Sequence, residues 1–133
     1  MNTTRAPKFS MEQVDGRSLR VAHWQAEKKS DKLPLLFFNG IGANIEAMAP
    51  LAEMLPDRDF LTFDMPGVGG SPEPMVPYNA WMMGRISEQL LDRYDMTQVD
   101  VMGVSWGGAM AQQFTLQNGP RVNRLILAAT TAG

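Results

Sequence analysis

The stretch GVSWGG at residues 103–108 sets one serine among glycines, directly after an apolar run and just before a helix-like one. A hydroxyl in that position suits nucleophilic attack on an acyl carbon, because a sharp strand-to-helix turn lifts the side chain clear of a sheet. Bulk two residues either side of Ser105 would strike neighbouring backbone, which accounts for Gly103 and Gly107, and Gly108 leaves room for close helix packing. Ser105 also falls at a helix N-terminus, where free amides and the positive dipole end favour a nearby oxyanion. The Trp106 amide is the expected first oxyanion donor. A second is expected from NGIGAN at 39–44, the loop after the preceding apolar run. There Ile41 is the expected donating amide, and Gly40 and Gly42 let the backbone approach a substrate without a Cβ in the way. Residue types and spacing by themselves predict a serine hydrolase.

A nucleophilic serine needs a base, and the sequence contains one histidine, His23, far upstream. In the strand-to-helix G-x-S-x-G architecture the triad runs Ser, then Asp or Glu, then His along the chain. His23 lies in the strand-like LRVAHWQ, on the face of Leu19 and Val21, and is expected to be structural. Asp64 ends another strand-like run in FDMPGVGGS and is expected to shape a turn through hydrogen bonds. No acid follows the last apolar run, where the sequence reads TTAG. The base for Ser105 is therefore expected to be missing from these 133 residues. RLILAAT at 124–130 reads as an interior strand, apolar on both faces, with nothing after it to cover it. The expectation is an N-terminal portion of one longer hydrolase domain, residues 1–133, with little turnover on its own and a tendency to aggregate.

The elements that must position these residues follow from periodicity. Val14-Asp15-Gly16-Arg17 carries the Asp-Gly signal of a tight hairpin between KFSMEQV and SLRVAHWQ. LPLLFF (33–38), FLTFD (60–64), VDVMGV (99–104) and RLILAAT read as short buried strands. Ile45, Met48, Leu51, Ala52 and Leu55 recur at helical spacing, with Pro50 predicting a kink or a late start. Residues 79–94 read as a helix with Trp81, Ile86, Leu90 and Leu91 near one face, and 106–118 as another, stopped by Gly119-Pro120. A hairpin followed by alternating strands and helices predicts an α/β protein with a largely parallel sheet. In such sheets function gathers at the carboxyl ends of the strands, where NGIGAN, DMPGVGGS and GVSWGG all fall.

Composition narrows the chemistry further. The hydrophobic fraction of 44% and charged fraction of 20% are those of an ordinary globular domain. A net charge of −2 provides no basic field, so neither a nucleic acid nor an anionic membrane surface is an expected partner. The absence of cysteine excludes disulfides, thiolate metal sites and a cysteine nucleophile. The N-terminus carries no secretory apolar core, and no run approaches a membrane span, so a soluble cytoplasmic protein is expected. Eleven methionines read as adaptable core filler.

In order, FFNGIGAN, FDMPGVGGS, GVSWGGAMAQQF and LILAATTAG resemble the α/β-hydrolase superfamily, and within it the intracellular medium-chain-length polyhydroxyalkanoate depolymerases. The similarity runs over nearly the whole chain and is weakest in the first 33 residues. The resemblance places Ser105 at the family's nucleophile and NGIG at an oxyanion loop that many relatives fill with His-Gly. It implies an α/β-hydrolase fold truncated after about the sixth strand, lacking a lid, two more strands and the catalytic aspartate and histidine. It also implies hydrolysis of a 3-hydroxyalkanoate polyester stored in the cell, an association with storage granules, and no cofactor or metal. Esterases, lactonases, carbon–carbon hydrolases and cofactor-free haloperoxidases share the same elbow and stand as alternatives, as does a non-catalytic binding protein of the same fold. A dinucleotide-binding module is the rival from another class, since Gly40 and Gly42 follow a strand and Asp64 lies about 20 residues on. Ile45, however, stands where its third glycine is needed.

Overall fold

Asp15 and Gly16 both adopt positive φ, 49° and 75°, the backbone that a two-residue hairpin turn demands. Around them β1 (Lys8–Val14) and β2 (Arg17–Trp24) pair antiparallel in full register. The computed structural model describes residues 5–28, 30–40, 44–65, 70–71 and 79–128. β2 pairs antiparallel with β4 (Phe60–Phe63). β3 (Leu35–Phe38) then lies parallel between β4 and β5 (Val99–Val104), and β6 (Val122–Ala128) lies parallel to β5. The six-stranded sheet has the order β1-β2-β4-β3-β5-β6, the mostly parallel sheet with an opening hairpin that the periodicity predicts.

Two cores form, one on each face of the sheet. Leu19, Val21, Leu36, Phe38, Leu61, Phe63 and Val101 pack against α2 (Ala80–Arg93) and α3 (Trp106–Gln117). Ala22, Trp24, Leu35, Phe37 and Phe60 pack against α1 (Ile45–Glu53). β3 feeds both cores, which is why LLFF shows no alternation of apolar and polar residues. Aromatic contacts fix each layer: Phe37 stacks on Phe60 at 5.7 Å, and Phe38 meets Phe63 and Phe114 at 6.1 and 6.0 Å. Such pairs add about 0.5–1.5 kcal/mol each beyond simple burial.

Asparagines start the first two helices. Asn44 accepts from the Ala47 amide at 3.2 Å and Asn79 from the Met82 amide at 2.9 Å, each meeting one of the first-turn amides that have no intrahelical partner. At the other end of α1, buried Arg5 donates to the carbonyls of Ala52 at 2.8 Å and Leu55 at 2.7 Å, each of which also accepts a backbone amide of the turns that follow the helix. α1 starts at Ile45 and runs through Pro50, which sits on the exposed side where water can reach the carbonyl it leaves unbonded, so of the two outcomes expected of Pro50 the late start does not occur. One sequence expectation is corrected. Trp81 is not on the buried face of α2 but 51% exposed, with Arg85 over its ring at 5.3 Å; Met83, Ile86, Leu90 and Leu91 make the packed face. At the far end of the strand order, β6 leaves Leu125, Ile126 and Leu127 37–42% exposed.

Candidate active site

Ser105 is the single residue between β5 and α3, exposed, with φ 57° and ψ −126°. That is the mirror image of extended backbone, and holding a residue other than glycine there costs about 1–3 kcal/mol. The surroundings enforce it. The Ser105 amide donates to the Ala128 carbonyl at 3.1 Å, and the Ser105 carbonyl accepts from the Gly108 amide at 2.9 Å. A Cβ on Gly107 would stand 2.2 Å from the Phe38 oxygen, and one on Gly103 would stand 2.5 Å from the Gly107 oxygen, so both positions exclude any side chain. A Cβ on Gly40 would lie 3.3 Å from the Ser105 Cβ, which sets the start of the 40–43 loop directly against the serine.

Trp106 opens α3, so its amide is among those that an α-helix leaves without an internal acceptor. Ile41 and Gly42, the other half of the expected oxyanion hole, lie outside the described residues. The ends of their loop are described and pinned. Asn39, 3% exposed, donates from Nδ2 to the Asn44 carbonyl at 2.9 Å across the loop. One residue later the Ile45 amide donates to Asp64 Oδ1 at 2.8 Å.

Asp64 does more than shape a turn. Fully buried, it also accepts from the Gly70 amide at 2.8 Å and from Arg20 Nε at 3.0 Å through Oδ2, while Ser71 Oγ donates to its backbone oxygen at 2.7 Å. Arg20 Nη2 reaches on to both oxygens of Glu46, at 2.6 and 2.9 Å. Burial by itself would lower the Arg20 pKa; the hydrogen bond to Glu46 and the charge of Asp64 outweigh it and hold the guanidinium above its usual value. The hydrogen bond from Arg20 in turn holds the Glu46 carboxyl below the usual range. Sequence reading missed Arg20 and Glu46. The available signal was an arginine sharing a strand face with Ala22 and Trp24, where a cation needs a partner.

His23 lies elsewhere. It stands in register with Leu61, Leu36 and Val101, three strands and four residues from Ser105, or roughly 20 Å away at about 4.8 Å per strand and 3.3 Å per residue. Its Nε2 pairs with Asp59 Oδ2 at 2.8 Å and its ring meets Tyr94 edge-on at 5.2 Å. It cannot serve Ser105 from there. Among the described residues no group of His, Asp and Glu converges in a way that could hold a metal, and no helix is long and apolar enough to cross a membrane. The dinucleotide reading meets a direct obstacle: the Asp64 carboxylate already occupies the Ile45 amide at the α1 N-terminus, where a pyrophosphate would have to bind.

Residues 34–132 match the sequence profile of a family described as the alpha/beta hydrolase fold. The chain belongs to the α/β-hydrolase family. It is 46% identical over 126 residues to a poly(3-hydroxyalkanoate) depolymerase of Ectopseudomonas oleovorans, covering 94% of this chain and 44% of that protein. It is 30% identical over 105 residues to 3-oxoadipate enol-lactonase 2 of Acinetobacter baylyi, covering 78% of this chain and 39% of that protein. A crystal structure of a hydrolase from Pseudomonas aeruginosa superposes with a TM-score of 0.81 at 29% identity, covering 95% of this chain and 46% of that one. This α/β hydrolase thus spans less than half the length of the relatives it matches.

Proposed function

We propose that Ser105 is the nucleophile of a carboxylic ester hydrolase acting on 3-hydroxyalkanoate polyester or its short oligomers in the cytoplasm, at or near storage granules. The observation that carries the reading is the strained, exposed backbone of Ser105 at the carboxyl end of β5 and the N-terminus of α3. Strain of that kind persists only where the surrounding structure enforces it, and it concentrates at functional sites. The 46% identity to a polyhydroxyalkanoate depolymerase supports the polyester as substrate.

In this mechanism Ser105 Oγ attacks the ester carbonyl carbon while a base takes its proton. The tetrahedral oxyanion forms opposite the Trp106 amide and an amide of the 40–43 loop, Ile41 by the sequence pattern. Collapse expels the alcohol, which receives that proton, and water then releases the acid from the acyl-enzyme by the same route in reverse. Each oxyanion donor contributes about 3 kcal/mol to the transition state. With His23 roughly 20 Å away by strand spacing, the base and its acidic partner are assigned to residues outside these 133. On this reading residues 1–133 are the N-terminal part of one hydrolase domain.

p-Nitrophenyl ester hydrolysis tests this directly. The purified 133-residue chain is expected to show negligible turnover, whereas the protein expressed with its flanking coding sequence is expected to be active and to lose that activity on Ser105→Ala. Efficient turnover by a monomeric sample of these residues alone, abolished by Ser105→Ala, contradicts the assignment of the base. An enol-lactone is the second substrate class to assay, because a lactone is an internal ester and a relative bearing that name is 30% identical.

A further inference from the structure

We infer that the outer edge of β1 is an interface with a second copy of this chain, the two β1 strands pairing antiparallel about a two-fold axis at Ser10. The inference does not depend on the assignment of Ser105.

β1 is the outermost strand of its sheet, and among the described residues no strand pairs with its outer side. The hairpin decides which of its backbone groups face that way. The Asp15-Gly16 turn closes on the Val14–Arg17 pair, and in an antiparallel ladder every second pair exchanges both hydrogen bonds. Val14, Glu12, Ser10 and Lys8 therefore direct their amides and carbonyls at β2, whereas Phe9, Met11 and Gln13 direct theirs outwards. Of these outward groups the Gln13 carbonyl already accepts from Arg93 Nη2. The open stretch of edge is thus centred on Phe9 and Met11, whose side chains share a face and are 51% and 52% exposed. Folded proteins cover or blunt an edge that is both unpaired and apolar.

The β1 sequence is complementary to itself. Pairing two copies requires outward residues to face outward residues, and setting Ser10 opposite the partner's Ser10 meets that condition. Phe9 then faces the partner's Met11, and Met11 the partner's Phe9, so that four backbone hydrogen bonds form and four apolar side chains make one patch. On the opposite face Lys8 stands across from the partner's Glu12, twice over by symmetry. Lys8 is exposed and, among the described residues, without an ion-pair partner. The Glu12 carboxylate is held in place by Ser10 at 2.7 Å, Arg93 at 3.0 Å and Tyr94 at 3.3 Å. The ends match as well. Gln13 would face the partner's Pro7, which has no amide to give, and Arg93 supplies the Gln13 carbonyl instead. A shift of two residues in either direction sets Lys8 opposite the partner's Ser10 or Val14 and loses the charge match, and a shift of one sets outward groups against inward ones.

An interface of one short strand per copy belongs to the small, weak class, so a micromolar dimer is expected. The test is sedimentation velocity on the protein expressed with its flanking coding sequence, from about 1 to about 300 µM, where a monomer–dimer equilibrium is expected. Met11→Pro removes an outward amide that β2 does not use, at an edge position where proline is tolerated. It is expected to weaken dimerisation about tenfold or more with the circular dichroism of the monomer unchanged. Cross-linking reads the register independently. These 133 residues contain no cysteine, and Ser10→Cys places a thiol on the axis, where facing Cα atoms lie about 4.5 Å apart, within reach of a disulfide. Mild oxidation is expected to join two copies of that peptide, as located by mass spectrometry. Gln13→Cys, roughly 20 Å from its counterpart in this register at about 3.4 Å per residue, is expected not to cross-link. A protein that stays monomeric throughout the range, a dimer that Met11→Pro leaves intact, or equal cross-linking at positions 10 and 13 overturns the inference.

Discussion

The two ends of the sheet treat polar groups in opposite ways. Around His23 side chains are paired: His23 with Asp59 at 2.8 Å, Ser10 with Glu12 at 2.7 Å, and Arg93 with Glu12 at 3.0 Å. A cavity of about 390 Å³ lies there, lined by Lys8, Phe9, Ser10, Glu12, His23, Arg93 and Tyr94. Around Ser105 the polar chain is strained and exposed, and a helix N-terminus presents amides with no internal acceptor. An Asp–His pair beside a cavity has the outward form of catalytic machinery, yet its partners are satisfied and its backbone is relaxed strand. On the proposed assignment of Ser105, the difference teaches that enforced strain next to free backbone donors goes with the chemistry, and satisfied side-chain pairs with the scaffold.

That contrast can be broken in four places. The largest effect is expected at the elbow, where Gly107→Ala drives a methyl group to 2.2 Å from the Phe38 oxygen. Backbone cannot yield as a flexible side chain does, so the loss in stability is expected to be about 3 kcal/mol by chemical denaturation. A loss under about 1 kcal/mol would mean that the elbow is looser than its contacts show. Next, Ser105→Gly keeps the backbone and removes both the hydroxyl and the strain. It is expected to raise stability by about 1 kcal/mol while abolishing ester hydrolysis, a trade that a relaxed structural serine would not show.

At the other end, His23→Gln is expected to lower stability by about 1 kcal/mol, the usual net worth of a hydrogen bond like that to Asp59. It should leave Ser105-dependent turnover within about twofold, whereas losing a general base costs about a hundredfold or more. A hundredfold loss in that variant would place His23 in the mechanism. The smallest effect concerns Glu12, whose carboxyl is held below its ordinary 4.5, first by the Ser10 hydrogen bond and then by Arg93 and Tyr94. A depressed carboxyl stabilises the fold above its unfolded pKa, and that contribution disappears as pH falls below about 4.5 through the folded value. Glu12→Gln should therefore flatten the acid limb of the stability profile by less than about 1 kcal/mol, since the site is partly exposed.

Much of this was legible in the sequence, for particular reasons. Asp15-Gly16 requires positive φ, and LLFF without alternation requires burial on both faces, so the hairpin and the central strand follow from residue type alone. Gly103 and Gly107 signal the elbow because their spacing reports two close approaches of backbone. Trp81 misled, since tertiary packing overrides local preference: it stays outside under Arg85, while α1 carries Pro50 on its wet side. The Arg20–Asp64–Glu46 bridge was invisible, because it joins residues 20, 46 and 64, and a contact set by sheet order leaves no local pattern. Ile41 lies outside the described residues, and its assignment as a donor stays the expectation of the motif.

The assignment of Ser105 is tested most directly by covalent capture. The protein expressed with its flanking sequence is treated with a fluorophosphonate, and the modified peptide is located by mass spectrometry. A single adduct on Ser105, forming in step with loss of p-nitrophenyl ester hydrolysis, is the expected result. Complete loss of hydrolysis with the adduct on another residue, or hydrolysis that survives full modification of Ser105, would contradict it.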